Sequence, residues 1–199
     1  MDDTKQLRLF LAVLIPDDVR SKIEAAVSPV RAQMQQVRWV RADLWHLTLV
    51  FLAYRPAAAV ATIRDLASRV CRDEPPFGVR LDGIGCFPQA NRPRVLWIGV
   101  CPGSDALATL QRHVCAALKD GGLEVADERF NAHLTIGRVR DEAGADVRAE
   151  IGRRWATTAV PRLPLYDVHE FHLMRSDLSP SGPRYTSLAA MPLLGSARA

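Results

Sequence analysis

The sequence contains an internal repeat. The stretch RLFLAVLIP begins at Arg8 and the stretch RVLWIGVCP begins at Arg94. Each stretch starts with Arg, continues with apolar residues and ends in Pro, and each is followed further along by His-Leu-Thr, beginning at His46 and at His133. The two starts are 86 positions apart (8 to 94) and the two histidines are 87 positions apart (46 to 133). A nearly constant offset over several elements indicates one strand–helix–strand unit made twice.

Hydrophobic periodicity predicts alternating strands and helices around these repeats. Predicted strands cover residues 7–15, 37–40, 45–54, 77–87, 94–100, 130–139, 167–174 and 185–190, and the one at 77–87 is expected to be bent or bulged because it contains three glycines. Predicted helices cover residues 16–34, 57–70, 104–119 and 141–154. Pro29 is expected to interrupt the first helix, Ser104 to be the N-cap of the third, and residues 179–183 to form a turn. The 199 residues predict one domain, over 1–199, with two lobes that share a cleft.

The composition is that of an ordinary globular protein with a mild excess of positive charge. The formal net charge is +4 and the sequence pI is about 9.1. This charge suits an anionic partner such as RNA, although it does not identify one. The acidic, polar start of the chain argues against a secretory signal, and no apolar run reaches the roughly 18 residues of a membrane span. The four cysteines are scattered without a C-x-x-C pair, so we expect free thiols and a cytoplasmic location.

The His-x-Thr pairs carry the functional prediction. On a strand, residues two apart point to the same face, so His46 and Thr48 share one face, as do His133 and Thr135. A single histidine on a strand is more often a hydrogen-bonded structural residue than a catalyst. Two copies of His-x-Thr at matching places in a repeat favour a functional site, because a pseudo-two-fold axis would bring them together.

This set of groups predicts acid–base chemistry on a phosphate. With ordinary pKa values near 6.5, one imidazole can be neutral and the other protonated at neutral pH. Threonine hydroxyls can donate to phosphoryl oxygens, and Arg138 can add a bidentate charge. Arg138 has the opposite strand parity from His133, so a bulge or the strand end must redirect it if it reaches the site.

Other chemistries have weaker sequence support. His-x-Thr is a poor zinc pattern, and no Asp or Glu lies on the same predicted faces, so no metal is expected. A threonine nucleophile would need a third group to orient its histidine, and none is apparent. The sequence also has no P-loop and no G-x-G-x-x-G after a strand, so no cofactor is predicted.

At these residues the sequence resembles the 2H phosphoesterase superfamily, which is defined by two His-x-Thr-x motifs. More closely, it resembles the bacterial and archaeal RNA 2′,3′-cyclic phosphodiesterases once called 2′-5′ RNA ligases. The resemblance covers nearly the whole chain, through the segments RLF at 8–10, HLTLVFL at 46–52, PRVLW at 93–97, FNAHLTIGR at 130–138 and RY at 184–185. One departure is Ala132, where family members usually have Pro.

The resemblance implies a bilobal α+β fold, with two pseudo-symmetric antiparallel sheets, helices on the outer faces and a central cleft. It also implies hydrolysis of a 2′,3′-cyclic phosphate at an RNA 3′ end to a 2′-phosphomonoester. His46 would donate a proton to the leaving 3′ oxygen, and His133 would activate the attacking water. Thr48, Thr135 and Arg138 would hold the phosphate.

Two aromatic residues are candidates for stacking on the terminal base, namely Phe10 and Tyr185. For Phe10, which lies in a predicted buried strand, a place in the core is an equally good interpretation. The expected partners are RNA 3′ ends or nucleotides with a cyclic phosphate, and the expected state is a monomer. Three alternatives stay open: a 2′-5′ RNA ligase, a phosphodiesterase acting on small cyclic nucleotides or 2′,5′-oligonucleotides, and a non-catalytic RNA-binding module.

Overall fold

A computed structural model describes residues 5–126, 129–180 and 182–196. Its strands are β1 (Gln6–Leu14), β2 (Val37–Trp39), β3 (His46–Pro56), β4 (Phe77–Val79), β5 (Leu81–Phe87), β6 (Val95–Val100), β7 (His133–Val139), β8 (Tyr166–Val168), β9 (Glu170–Ser179) and β10 (Gly182–Pro192). Its helices are α1 (Asp17–Arg31), α2 (Ala59–Val70), α3 (Ser104–Asp120) and α4 (Ala145–Ala156), and a short 3-10 turn covers Ala42–Leu44. The predicted α+β class is confirmed.

Seven strands form the path of one large antiparallel sheet, in the order β10-β9-β1-β3-β7-β6-β5, and β2 adds to β7 as the eighth. The repeated units occupy its centre, β1 with β3 and β6 with β7. They meet between β3 and β7 at a single residue pair, Leu47 with Leu134. Each leucine directly follows a repeat histidine, so the pair marks the pseudo-two-fold axis. The two expected sheets are thus joined edge to edge into one.

The repeat is real, but its first strand is displaced by one residue relative to the ungapped sequence match. That match aligns Leu11 with Trp97. In the structure Ala12 is the partner of Thr48, and Trp97 is the partner of Thr135, so Trp97 is equivalent to Ala12. Because a shift of one residue reverses the face of a strand, Leu11 is buried in the core while Trp97 lies on the opposite face.

The helices cover only one face of the sheet. Buried residues of α1 and α3 join Leu47 and Leu134 in one hydrophobic core that includes both halves. A separate small cluster on the other face contains Phe10, Ala12 and Met174, with Tyr185 packed against it. The sheet therefore has a core face and an opposite face, here called the cleft face. None of the helices in the described ranges is long and apolar enough to cross a membrane.

Helix boundaries differ from prediction at three places. Pro29 lies inside α1 without interrupting it, and the helix ends two residues later rather than near residue 34. The N-cap of α3 is Gly103 and not Ser104. Gly103 has φ +104°, and a Cβ there would lie 2.6 Å from the Gly78 carbonyl oxygen, so only glycine fits this turn. Helix α4 begins after Gly144, four residues later than predicted.

Two predicted strands are each divided. The segment 77–87 splits at Arg80, whose backbone exchanges hydrogen bonds with Cys101 and Pro102. As a result β4 pairs with β8 in a separate two-stranded sheet, while β5 stays in the large sheet. The segment 167–174 is likewise divided between β8 and β9. The polar start of the chain before Lys5, and Ser181 of the predicted turn, lie outside the described residues. None of the four cysteines, all of them described, is in a disulfide.

Candidate active site

The two repeat histidines open neighbouring strands, since β3 starts at His46 and β7 at His133. Between them, Leu47 pairs with Leu134, and both leucine side chains point into the core. The histidines and threonines therefore point to the cleft face. Because the strands are antiparallel, one step from this pair brings His46 toward Thr135 and His133 toward Thr48. Each imidazole thus lies beside the hydroxyl of the other repeat copy.

Both imidazoles are held in the same tautomer by the same local contact. Nδ1–H of His46 donates to the carbonyl oxygen of Leu44 at 2.8 Å, and Nδ1–H of His133 donates to that of Asn131 at 2.7 Å. A carbonyl oxygen can only accept, so each Nδ1 must carry the proton. Nε2 is left in each ring as the atom that can take or give a proton.

The surroundings lower the pKa of both histidines. Burial is the main cause for His46; the positive charges of His133 and Arg138 add to it, while the hydrogen bond to Leu44 opposes it. Burial is also the main cause for His133, with Arg138 adding and the Asn131 hydrogen bond opposing. At pH 7 both rings are therefore mostly neutral. An anion bound between them would favour the protonated forms and raise both pKa values.

A bulge turns Arg138 toward the site. Thr135 pairs with Trp97 and Gly137 with Leu96, so Ile136 is an extra residue in β7. The extra residue exchanges the two faces for the rest of the strand, so Arg138 points to the cleft face like His133. This is the kind of bulge that the sequence analysis named as necessary for Arg138 to reach the site. Its charge lowers the pKa values of both histidines and opposes the raised pKa of Tyr185. Arg138 is exposed, and its guanidinium can reach an anion near the imidazoles.

The other repeat copy has the same bulge with a different side chain after it. In β3, Thr48 pairs with Ala12 and Val50 with Leu11, so Leu49 is the extra residue. The residue at the position equivalent to Arg138 is Phe51, which is 56 % exposed on the cleft face. The backbone of the site is therefore pseudo-symmetric, whereas its charge is not.

Aromatic rings support His46. Its ring centroid lies 4.9 Å from that of Phe10 and 5.4 Å from that of Tyr185. Phe10 is only 3 % exposed, because His46, Tyr185 and Phe51 surround it, while Tyr185 is half-buried. The structure thus brings both predicted stacking residues to the site and leaves Tyr185 the more accessible of the two.

A matching aromatic pair beside His133 was not predicted from the sequence. The His133 ring lies 5.1 Å from Phe87 and 6.3 Å from Trp97, and the two aromatic rings are 5.3 Å apart. A Cβ on Gly85 would lie 2.3 Å from the Trp97 ring, so this ring lies directly over the glycine. The only sequence signal for this ring position is Gly85, the second glycine of GIGCF. It can be interpreted only once Gly85 is known to pair with Trp97 on the neighbouring strand.

The assembled groups can transfer protons and bind a tetrahedral anion. Strand register places both imidazoles, both threonines and Arg138 on the cleft face, and Arg138 is close enough to lower the pKa of both histidines. Over residues 5–126, 129–180 and 182–196, no three His, Cys, Asp or Glu side chains are grouped so that they could hold a metal ion. Imidazoles, hydroxyls and a guanidinium together form a donor set that suits a phosphoryl or similar oxyanion.

Comparison with known proteins supports this interpretation. The model of the 2′-5′ RNA ligase superfamily matches residues 19–180. The chain is 34 % identical over 185 residues to the RNA 2′,3′-cyclic phosphodiesterase of Archaeoglobus fulgidus, covering 92 % of this chain and 98 % of that one. It is 32 % identical over 194 residues to the enzyme of the same name from Thermus thermophilus, covering 95 % and 91 %.

Solved structures give the same assignment. The crystal structure of TT0787 of Thermus thermophilus superposes with a TM-score of 0.77 at 30 % identity, covering 96 % of this chain and 100 % of that one. The structure of E. coli LigT complexed with 3′-AMP superposes with a TM-score of 0.72 at 27 % identity, covering 95 % and 99 %. The resemblance inferred from the two His-x-Thr motifs is confirmed: the chain belongs to the 2′-5′ RNA ligase superfamily of 2H phosphoesterases and is an enzyme of that family.

Proposed function

We propose that this protein is a metal-independent RNA 2′,3′-cyclic phosphodiesterase, which converts the cyclic phosphate at an RNA 3′ end to a 2′-phosphomonoester. The observation that carries the proposal is the pair of imidazoles on adjacent strands. Each ring is held through Nδ1 with Nε2 left for proton transfer. The names of the relatives, RNA 2′,3′-cyclic phosphodiesterase, support the substrate. In this proposal the enzyme acts in the cytoplasm as a monomer.

The proposed reaction is an in-line displacement at phosphorus. His133 acts as the base, because its neutral Nε2 accepts a proton from the water that attacks phosphorus. His46 acts as the acid, because its protonated Nε2 gives a proton to the 3′ oxygen as the bond from phosphorus to that oxygen breaks. One P–O bond forms and one breaks, and the two histidines exchange protonation states until solvent restores them.

Two neutral donors hold the phosphate, and one cation stabilises the transition state. Thr48 and Thr135 hydroxyls donate to the non-bridging phosphoryl oxygens from the two repeat copies. The guanidinium of Arg138 faces the negative charge that develops on those oxygens. It can bind two of the oxygens at once through two parallel N–H groups. Tyr185, backed by Phe10, offers a surface beside His46 for the terminal base. The ring strain of the five-membered cyclic diester lowers the barrier that these groups must overcome.

Ligation is a second candidate, favoured by the rings of Phe87 and Trp97 beside His133. In ligation, a 5′-hydroxyl of RNA takes the place of the attacking water: its oxygen bonds to phosphorus, the bond to the 3′ oxygen breaks, and a 2′,5′ linkage forms. A nucleoside stacked on this pair would carry its hydroxyl to the base. Hydrolysis remains the primary proposal because water needs no second binding surface.

The first test is hydrolysis of a short RNA ending in a 2′,3′-cyclic phosphate, with phosphorus NMR to identify the 2′-phosphate product. His46→Gln and His133→Gln are each expected to lower kcat by about 10²-fold or more, since general acid–base catalysis contributes that much. Thr48→Val is expected mainly to raise KM. Near-normal turnover in either histidine variant would exclude this mechanism, and an inert wild type that binds the RNA would establish a binding module.

A modified substrate separates the acid from the base. A bridging sulfur in place of the 3′ oxygen leaves as a thiolate and needs little proton donation. We expect this substrate to restore most of the rate of His46→Gln and to leave His133→Gln slow. Equal behaviour of the two variants would show that the roles are assigned wrongly.

Two controls use the same assay. EDTA is expected to leave the rate unchanged; inhibition that zinc reverses would replace this proposal with a metal-dependent one. Adding a second RNA with a 5′-hydroxyl tests ligation, which would appear as a longer product with a 2′,5′ linkage.

A further inference from the structure

Exposed aromatic side chains continue along β3 beyond the proposed acid. Phe51 is 56 % exposed and Tyr54 is 60 % exposed, although β3 lies in the middle of the large sheet. Large aromatic residues on a central strand are ordinarily covered by another layer, and an exposed set beside a site is typical of a binding surface. Their position next to His46 on the same strand makes this surface continuous with the active site.

Two bulges direct these rings to the cleft face. Phe51 pairs with Phe10, and Tyr54 pairs with Arg8. Residues Leu49 and Val50 together oppose Leu11, and residues 52 and 53 together oppose Leu9, with Ala53 at φ +55°. Leu49, Val50 and Leu52 of these bulges remain on the core side, whereas Ala53 is exposed. Because β1 alternates without insertion, Arg8 and Phe10 share the cleft face, and so do their partners on β3.

The spacing of the two rings suits an unstacked single strand. Their partners Phe10 and Arg8 are two residues apart on β1, which corresponds to roughly 6.7 Å along a strand. That is about twice the 3.4 Å between stacked bases. Successive bases would therefore separate from each other and stack on a protein ring each, as in the recognition of single-stranded RNA.

A positive charge, that of Arg8, lies next to these aromatic rings. Arg8 Nη1 donates to Ser176 Oγ at 3.1 Å, which holds the guanidinium on the cleft face between Tyr54 and Tyr185. The charges of Arg8 and Arg138 both act on the Tyr185 hydroxyl, opposing the burial that raises its pKa. Two guanidiniums thus lie close to these rings, where a phosphodiester backbone would pass.

We propose that Phe51, Tyr54 and Arg8 form a track for the two nucleotides that precede the terminal cyclic phosphate. The track deepens the proposed function and rests on it. It makes oligoribonucleotides with a 2′,3′-cyclic end the preferred substrates over cyclic mononucleotides. The terminal base lies by Tyr185, the preceding base on Phe51 and the third on Tyr54, and Arg8 contacts one intervening phosphate.

The test compares kcat/KM for a 2′,3′-cyclic trinucleotide with kcat/KM for the corresponding cyclic mononucleotide. Base–aromatic stacking corresponds to about ten-fold or more per ring, so wild type is expected to prefer the trinucleotide by about 10²-fold. Phe51→Ala and Tyr54→Ala should each reduce the ratio by about ten-fold, and the double variant should bring it close to one. Tyr54→Phe keeps the ring and should keep the ratio. Leu165→Ala, at a residue 51 % exposed outside the cleft, is the matched control and should also keep it.

Salt dependence gives an independent readout. Arg8→Gln is expected to reduce the slope of log kcat/KM against log salt for the trinucleotide by about 0.7, the value for one phosphate contact on a single strand. Hydrolysis of both substrates by wild type at equal efficiency, or a ratio unchanged in the double variant, overturns the track and leaves the phosphodiesterase intact. Hydrolysis of neither substrate overturns both.

Discussion

The tautomer and orientation of each repeat histidine are fixed by a hydrogen bond to a residue two positions earlier in the sequence. Each Nδ1–H reaches the carbonyl oxygen of the residue two positions earlier, which fixes the tautomer and aims Nε2 at the cleft. Burial and the charge of Arg138 then lower both pKa values below the ordinary 6.5. A base works in its neutral form and an acid in its protonated form, so these shifts help His133 and oppose His46 in the free enzyme.

The pH dependence of the rate follows from these signs. The rate rises with pH through the pKa of the base and falls through the pKa of the acid. Because both pKa values are below 6.5 in the free enzyme, the bell-shaped profile of kcat/KM should have its maximum below pH 6.5. Bound phosphate raises both values, so the kcat profile should lie at higher pH. A kcat/KM maximum well above pH 7 would contradict the shifts.

Helix α4 supports the His133 side of the site through two contacts. Trp155 Nε1 donates to the carbonyl oxygen of Gly85 at 2.8 Å, and Gly85 lies under the Trp97 ring that faces His133. The same helix packs closely against the backbone of Ala90, because a Cβ at Gly152 would lie 1.8 Å from the backbone oxygen of Ala90. The helix, the strand under it and the imidazole are therefore in sequential contact.

Gly152→Ala is expected to destabilise the protein. In an open helix this change stabilises by about 1 kcal/mol, but here the new methyl meets backbone that cannot move aside, and overpacking of this kind costs about 1–3 kcal/mol. Urea unfolding measures the difference in free energy. Gly144→Ala is the matched control, since nothing lies within 4 Å of the Cβ position and φ is −64°. Equal stability of the two variants would refute the close approach.

The whole molecule brings the two repeat copies together at one pair of strands. Only Leu47 and Leu134 are paired between β3 and β7, and their relative exposures are 1 % and 0 %. The packing of these two side chains in the common core therefore determines how the two imidazoles are placed. A loss of packing at this pair should affect both stability and catalysis.

Leu134→Ala is expected to lower the free energy of unfolding by about 2–5 kcal/mol, the usual cost of truncating a buried leucine. It should also lower kcat per folded molecule, because the cavity lets the strands shift under the histidines. Leu107→Ala in α3, a site with 0 % exposure, is the control: it should cost similar stability and retain kcat. Identical kcat values in the two folded variants would show that the pair does not position the site.

The repeat, the alternation of strands and helices, and the common face within each His-x-Thr pair, His46 with Thr48 and His133 with Thr135, could be predicted from the residues alone. These follow from local periodicity, because a two-residue alternation needs no knowledge of the neighbouring strand. The resemblance added the α+β class and the family, and both are confirmed.

Three features required the folded structure: the direction of Arg138 and Phe51, the equivalence of Trp97 with Ala12, and the division of residues 77–87 between two sheets. Each of these depends on strand register, which is set by hydrogen bonds and packing between segments far apart in the chain. A bulge is one residue too many relative to a partner strand, so it cannot be recognised until that partner is known.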